Sequence, residues 1–113
     1  RLRLKAFFTA ANATMDYKYA TANTGTMTVR AYERKHKAAG VAAGTDATNE
    51  AVGTGHIAST AVAATTSGVA VVDIEQIVSV SVQGEWQFQW AQHTSDAGAL
   101  ICLEGSSLEY AAA

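Results

Sequence analysis

The side chains of this 113-residue chain best suited to chemistry are three histidines (His36, His56 and His93), one cysteine (Cys102) and ten carboxylates. A zinc site needs about four converging ligands. No two of these histidines are spaced to share a strand or helix face, so exposed loop histidines are expected. His93, Ser95 and Asp96 have the residue types of a hydrolytic triad. A triad, however, sets its base between nucleophile and orienter drawn from separated segments, so three near neighbours spell a small-polar turn. Asp73 and Glu75 share one face of a strand. Paired carboxylates cleave glycosides when about 5–9.5 Å apart across a cleft, but plain surroundings make these two solvated strand residues. Cys102, inside Leu100-Ile101-Cys102-Leu103, reads as a small buried hydrophobe.

Binding chemistry offers more. Lys35-His36-Lys37, with Arg30 and Arg34 nearby, is the basic cluster and reads as a solvated loop. Asn12-Ala13-Thr14 matches the N-glycosylation acceptor pattern, a weak signal without a secretory leader. Trp86, Phe88 and Trp90 form an aromatic ridge. Facing inward it is core; facing outward, Trp86 and Trp90 would suit a sugar ring or a partner subunit. Tyr17, Tyr19 and Tyr110 share that choice, since phenols favour half-buried interfaces.

These residues are carried by strands. Gly84 to Tyr110 opens with Trp86, Phe88 and Trp90 on one face and Glu85, Gln87 and Gln89 on the other, the period of a half-buried strand. Leu2 to Thr9 alternates likewise. Tyr17 and Tyr19 face one way between Thr14 and Ala20; Met27, Val29 and Ala31 do so between Thr26 and Glu33. Asn23-Thr24-Gly25 supplies a turn, so these two strands are expected to form a hairpin. Lys35 to Ser67 is rich in Ala, Gly, Thr and Asn; weak strands are expected at Gly55 to Ala58 and Ser59 to Ala64, and a short helix at Asp46 to Val52. From Val69, Ala70, Val72 and Ile74 form one face, with Asp73 and Glu75 on the other. The pattern breaks at Gln76-Ile77 before Val78, Val80 and Val82, which suggests a bulge or sheet corner. Strands at Ala99–Leu103 and Ser106–Tyr110 close the chain.

The length predicts one domain over residues 1–113, with enough buried surface for a core without metal or disulfides. Seven to nine short strands make it all-β, an antiparallel β-sandwich or jelly roll. A net charge of −2 argues against nucleic acid. No apolar run reaches the length of a membrane helix, and no cofactor is expected. Proline is absent and alanine makes up roughly a fifth of the chain. A start at Arg1 rather than methionine fits a processed product or a C-terminal module of a longer protein.

Several stretches resemble a β-sandwich domain of tailed-bacteriophage virion proteins. They are Gly84, the strand ending Gln89-Trp90-Ala91-Gln92, Thr94-Ser95-Asp96, Gly105-Ser106 and Leu108-Glu109. Thr65-Thr66-Ser67-Gly68 before a Val-rich strand, and Asp16-Tyr17-Lys18-Tyr19, are similar too. The chain departs from the pattern at His93, where asparagine is usual, and in its terminal alanines. The resemblance implies a non-enzymatic structural protein on the outer surface of the virion, a homotrimer contacting the major capsid protein or other virion components. A capsid decoration or head spike comes first, with Arg1, Arg3 and Lys5 as the expected contact with the particle. A tail- or head-fibre tip that binds host-surface polysaccharide comes second, through His93, Asp96 and the Trp86–Trp90 face. A glycan hydrolase is a distant third, because no convincing carboxylate pair is visible.

Overall fold

The computed structural model describes residues 1–10, 15–37, 48–59, 62–63, 69–94 and 97–112, with the backbone alone at 48–50 and 63. Nine strands are present among them: β1 Leu2–Ala10, β2 Asp16–Asn23, β3 Thr26–Lys37, β4 Thr48–Gly53, β5 Val62–Ala63, β6 Ala70–Val82, β7 Trp86–Gln92, β8 Leu100–Cys102 and β9 Ser107–Tyr110. They form two antiparallel sheets, an all-β sandwich as the alternation predicts. The large sheet runs β4-β3-β6-β1, and β8 and β9 follow one another along the outer edge of β1; the small sheet runs β5-β2-β7.

The core follows from period-2 alternation. Leu4, Ala6 and Phe8 pair across β1 and β6 with Ile74, Val72 and Ala70, so all six point to one face. Met15, Tyr17 and Tyr19 of the small sheet close over that face, with Ile57 and Val62 beside them. Phe8 is the hub: its ring centre lies 5.1 Å from that of Tyr17, 5.2 Å from Trp90 and 6.4 Å from Phe88.

Several expectations change. β2 and β3 do not form a hairpin; Asn23-Thr24-Gly25 instead carries the chain from the small sheet to the large one. The tyrosines of β2 need a sheet beneath them, and β3 lies in that sheet. The segment Thr48–Gly53 is strand β4 rather than helix, because it completes the edge of β3. Within the expected weak strands, Ala58 forms a single bridge to Ala20 and β5 is two residues long. Lys35-His36-Lys37 is strand and not loop.

The break at Gln76-Ile77 is also different in kind. β6 keeps one phase from Ala70 to Val80, and Gln76 occupies a core position at 0% exposure. At this point a bulge sits across the ladder on β3, where Val29 and Ala31 face Val78 and Ile77 and leave Arg30 as the extra residue. A second slip, between Thr26 and Met27, leaves Ser81 as the extra residue near the end of β6. Beyond the Arg30 bulge the inward positions shift from Met27 and Val29 to Tyr32, Arg34 and His36, and Ala31 leaves the face it was expected to share.

Candidate functional site

The outer face of the large sheet is a charge ladder. Arg3 lies between Glu75 and Glu109, and Asp73 between Lys5 and Lys35. Arg1 reaches Glu75 at 2.6 Å, and Lys35 reaches Glu33 at 3.5 Å. Asp73 and Glu75 therefore sit among cations at the rim of a cleft of about 90 Å³, shared with Arg3, Glu33 and Lys35. Opposite charges across a strand pair stabilise by about 0.2–1 kcal/mol, which is structural work. Arg1, Arg3 and Lys5 belong to this ladder and not to a free basic arm, and Leu2 to Lys5 are half of a central strand.

The inner face carries the polar residues that sequence reasoning missed. The Trp86 indole N–H donates to Gln76 Oε1 at 2.7 Å, and Gln76 Nε2 donates to Thr21 Oγ1 at 3.1 Å. Thr21 Oγ1 also accepts from the Ile57 amide at 2.9 Å. With both lone pairs engaged, the Thr21 hydroxyl donates to His56 Nδ1 at 3.0 Å, which leaves Nε2–H to donate to Asn23 Oδ1 at 2.6 Å. This line of bonds joins the two sheets. Its sequence signal was Gln76 itself, a polar residue in step with Val72, Ile74 and Val78.

A second buried group lies under β2. The Tyr19 hydroxyl bonds His36 Nδ1, and the Arg34 guanidinium lies 6.0 Å from the centre of the Tyr19 ring. Burial pushes the Tyr19 phenol up to about 12, against the pull of Arg34. Burial, reinforced by Tyr19, raises the Tyr17 phenol well above its ordinary value. Burial and then the charge of Arg34 lower His36. Among the described residues, the Tyr17 hydroxyl and Arg34 Nε have no hydrogen-bond partner. The three histidines do not converge: His36 is buried, His56 is exposed and bonded, and His93 is exposed. Among the described residues, no group of three or more His, Cys, Asp or Glu could hold a metal.

The residues expected at a contact surface divide accordingly. Tyr17 and Tyr19 belong to the core, because the face they share is closed by β1 and β6. Trp86 and Phe88 are half-buried, as an inward ridge requires. Trp90 also points inward, yet β7 is an edge strand and leaves it 40% exposed. It borders a groove of about 340 Å³ with Lys18, Ala20, Ser59 and Gln89. Tyr110 is 84% exposed on β9. Asp96 and the Asn12-Ala13-Thr14 acceptor lie outside the described residues. Cys102 is exposed rather than buried, because β8 is an edge strand beyond the cover of the small sheet.

A groove of about 480 Å³ lies at one end of the sandwich. Leu2, Met27, Val78, Val80, Trp86 and Tyr110 line it. It exists because three strands cannot cover six. The corner beside it is tight: a Cβ on Gly84 would lie 2.1 Å from the Thr24 carbonyl oxygen. Thr24 and Glu85 clasp there through two hydrogen bonds of 2.9 Å. The Gly105-Ser106 turn is equally structural: Gly105 has φ +93°, and the Ser106 hydroxyl accepts from the Phe7 amide while donating to the Leu103 carbonyl. No family model, curated protein or solved structure matches the chain.

Proposed function

We propose that this chain is a non-enzymatic structural module of a tailed-bacteriophage particle, a capsid decoration or head-spike protein that assembles as a trimer on the outer surface of the virion. The observation that carries this reading is the apolar groove at one end of the sandwich. Contiguous exposed apolar surface marks an interaction site. A rigid sheet body joined to its neighbours through such a surface strengthens a shell by adding interface area. The residues behind the resemblance support it, since Gly84 and Gly105-Ser106 hold the corners of this fold. Arg1, Arg3 and Lys5 already have acidic neighbours in the charge ladder, so contact through apolar and amide side chains replaces the expected contact through them.

Trp90 favours a second reading, a fibre tip that binds host-surface polysaccharide. An indole left 40% exposed at the edge of the small sheet offers part of a stacking face for a sugar ring, and the neighbouring groove carries Lys18, Ser59 and Gln89. Binding of the purified chain to phage capsids and to host-surface polysaccharide separates the two. Saturable binding to capsids alone supports decoration. Saturable binding to polysaccharide that is lost in Trp90→Ala supports the tip, and binding to neither overturns both.

A further inference from the structure

The large sheet ends in a surface that none of the described residues covers. β9 pairs with β1 on one side only, and among the described residues no strand pairs with its other side. All four of its residues are exposed. By register, Leu108 and Tyr110 share the inward face of Leu4 and Leu2. Next to them the groove floor is aliphatic, made by Leu2, Met27, Val78 and Val80. Val80 is 57% exposed.

We infer that this surface, the groove together with the β9 edge, is where a second copy of the chain docks. The inference rests on the self-association part of the proposed function and names the surface that performs it.

Three observations select a second copy. The first is continuity of apolar exposure. Val80 and Tyr110, 57% and 84% exposed, line the groove, and Leu108, 51% exposed, shares the face of Tyr110 beside it. Uncovered apolar surface of this kind marks an interface. The second is charge. The cleft beside β9 is lined by Arg1, Arg3 and Glu109, both signs within one rim. A strongly acidic or basic partner would meet repulsion from one of them, whereas a symmetry-related copy can set Arg1 against Glu109 of its neighbour. The third is the backbone. An open strand edge beside an apolar groove accepts an added strand, and the four-residue β9 can supply that strand as well as receive it. At the opposite edge of the sheet, Val52 is 80% exposed but pairs with Glu33 on the charged outer face.

Sedimentation equilibrium of the full chain between about 1 and 100 µM tests this. The expected mass at the upper end is a multiple of 11.8 kDa. Val80→Asp and Tyr110→Asp should each weaken association at least tenfold, while Val52→Asp leaves it unchanged. Both target side chains are more than half exposed, so circular dichroism of the monomers should match the parent. Hydrogen exchange needs no substitution: the amides of Ser107–Tyr110 should exchange more slowly as concentration rises. A parent chain that is monomeric at 100 µM overturns the inference together with the trimer. An oligomer indifferent to both substitutions, with no change in Ser107–Tyr110 exchange, overturns this surface alone and leaves self-association standing. Capsid binding is scored separately from either result.

Discussion

The inner face of the large sheet has two ends, built by the same strands and filled in opposite ways. Under the small sheet it holds Gln76, Arg34 and His36 among its apolar residues. At the open end it holds Leu2, Met27, Val78 and Val80. The polar side chains are inside and the aliphatic ones line the mouth. A closed core tolerates polar residues when they bond one another, and Gln76 meets Trp86 and Thr21 there. An uncovered aliphatic surface has no such internal resolution and is relieved by docking.

Phe8→Ala should show the covered end at its strongest. Phe8 is fully buried and touches Tyr17, Phe88 and Trp90, so truncation should cost about 3–5 kcal/mol in urea denaturation. A cost below 1 kcal/mol would mean that the two sheets do not close over this ring. Gly84→Ala comes next, at about 1–3 kcal/mol, because its Cβ would collide with backbone at the corner between the two ends. Gly55→Ala is its control: a Cβ there meets nothing, but φ of +89° leaves a backbone penalty of about 1 kcal/mol.

The polar line should be worth somewhat less. Gln76→Ala strips the Trp86 indole of its acceptor and should cost about 1–3 kcal/mol. In a double-mutant cycle with Trp86→Phe the two losses should fall short of additivity by about 1 kcal/mol. Additive losses would show that the bond contributes nothing in solution.

The strands were legible and their cover was not. Alternation in Leu2 to Thr9, Val69 to Val82 and Trp86 to Gln92 gave the elements and the inward ridge, because period 2 is a local property. The assignment of β2 and β3 to different sheets depends on what each packs against, which no local turn signal at Asn23-Thr24-Gly25 reveals. Arg34 and His36 read as a basic loop because the Arg30 bulge moves them inward, and a bulge is visible only from the partner strand. Gln76 reads as a change of phase because a polar residue at a core position is indistinguishable, along one strand, from a slip in the alternation. Among the contact residues, Trp90 and Tyr110 kept exposed surface because their strands are edges, while Tyr17 and Tyr19, with the same spacing and chemistry, became core.

The Tyr19–His36 pair makes stability depend on pH at both limits. Burial lowers His36, so the unfolded chain takes up its proton near pH 6.5 while the fold still excludes it. That part of the stability is complete above about pH 6.5 and is lost as pH falls through 6.5 towards the folded value. Tyr19 runs the other way. Its phenol is raised from 10.0 to about 12, so its part is complete below pH 10 and is lost as pH rises through that window. Urea midpoints should fall on both sides. His36→Gln should flatten the acid limb and Tyr19→Phe the alkaline one, and an unchanged acid limb in His36→Gln would place the titrating group elsewhere.

The finest test compares one substitution on one strand face. Val72→Thr and Val80→Thr lie eight residues apart on one face of β6, one fully buried and the other 57% exposed. A hydroxyl at Val72 is buried with no assigned partner and should cost about 1–3 kcal/mol. At Val80 it meets water, and the change should stay within about 0.5 kcal/mol at micromolar concentration. At concentrations where copies associate, the Val80 change should cost more, since the second chain would then cover it. A Val80 effect independent of concentration would keep the open end open and leave its aliphatic lining without a partner.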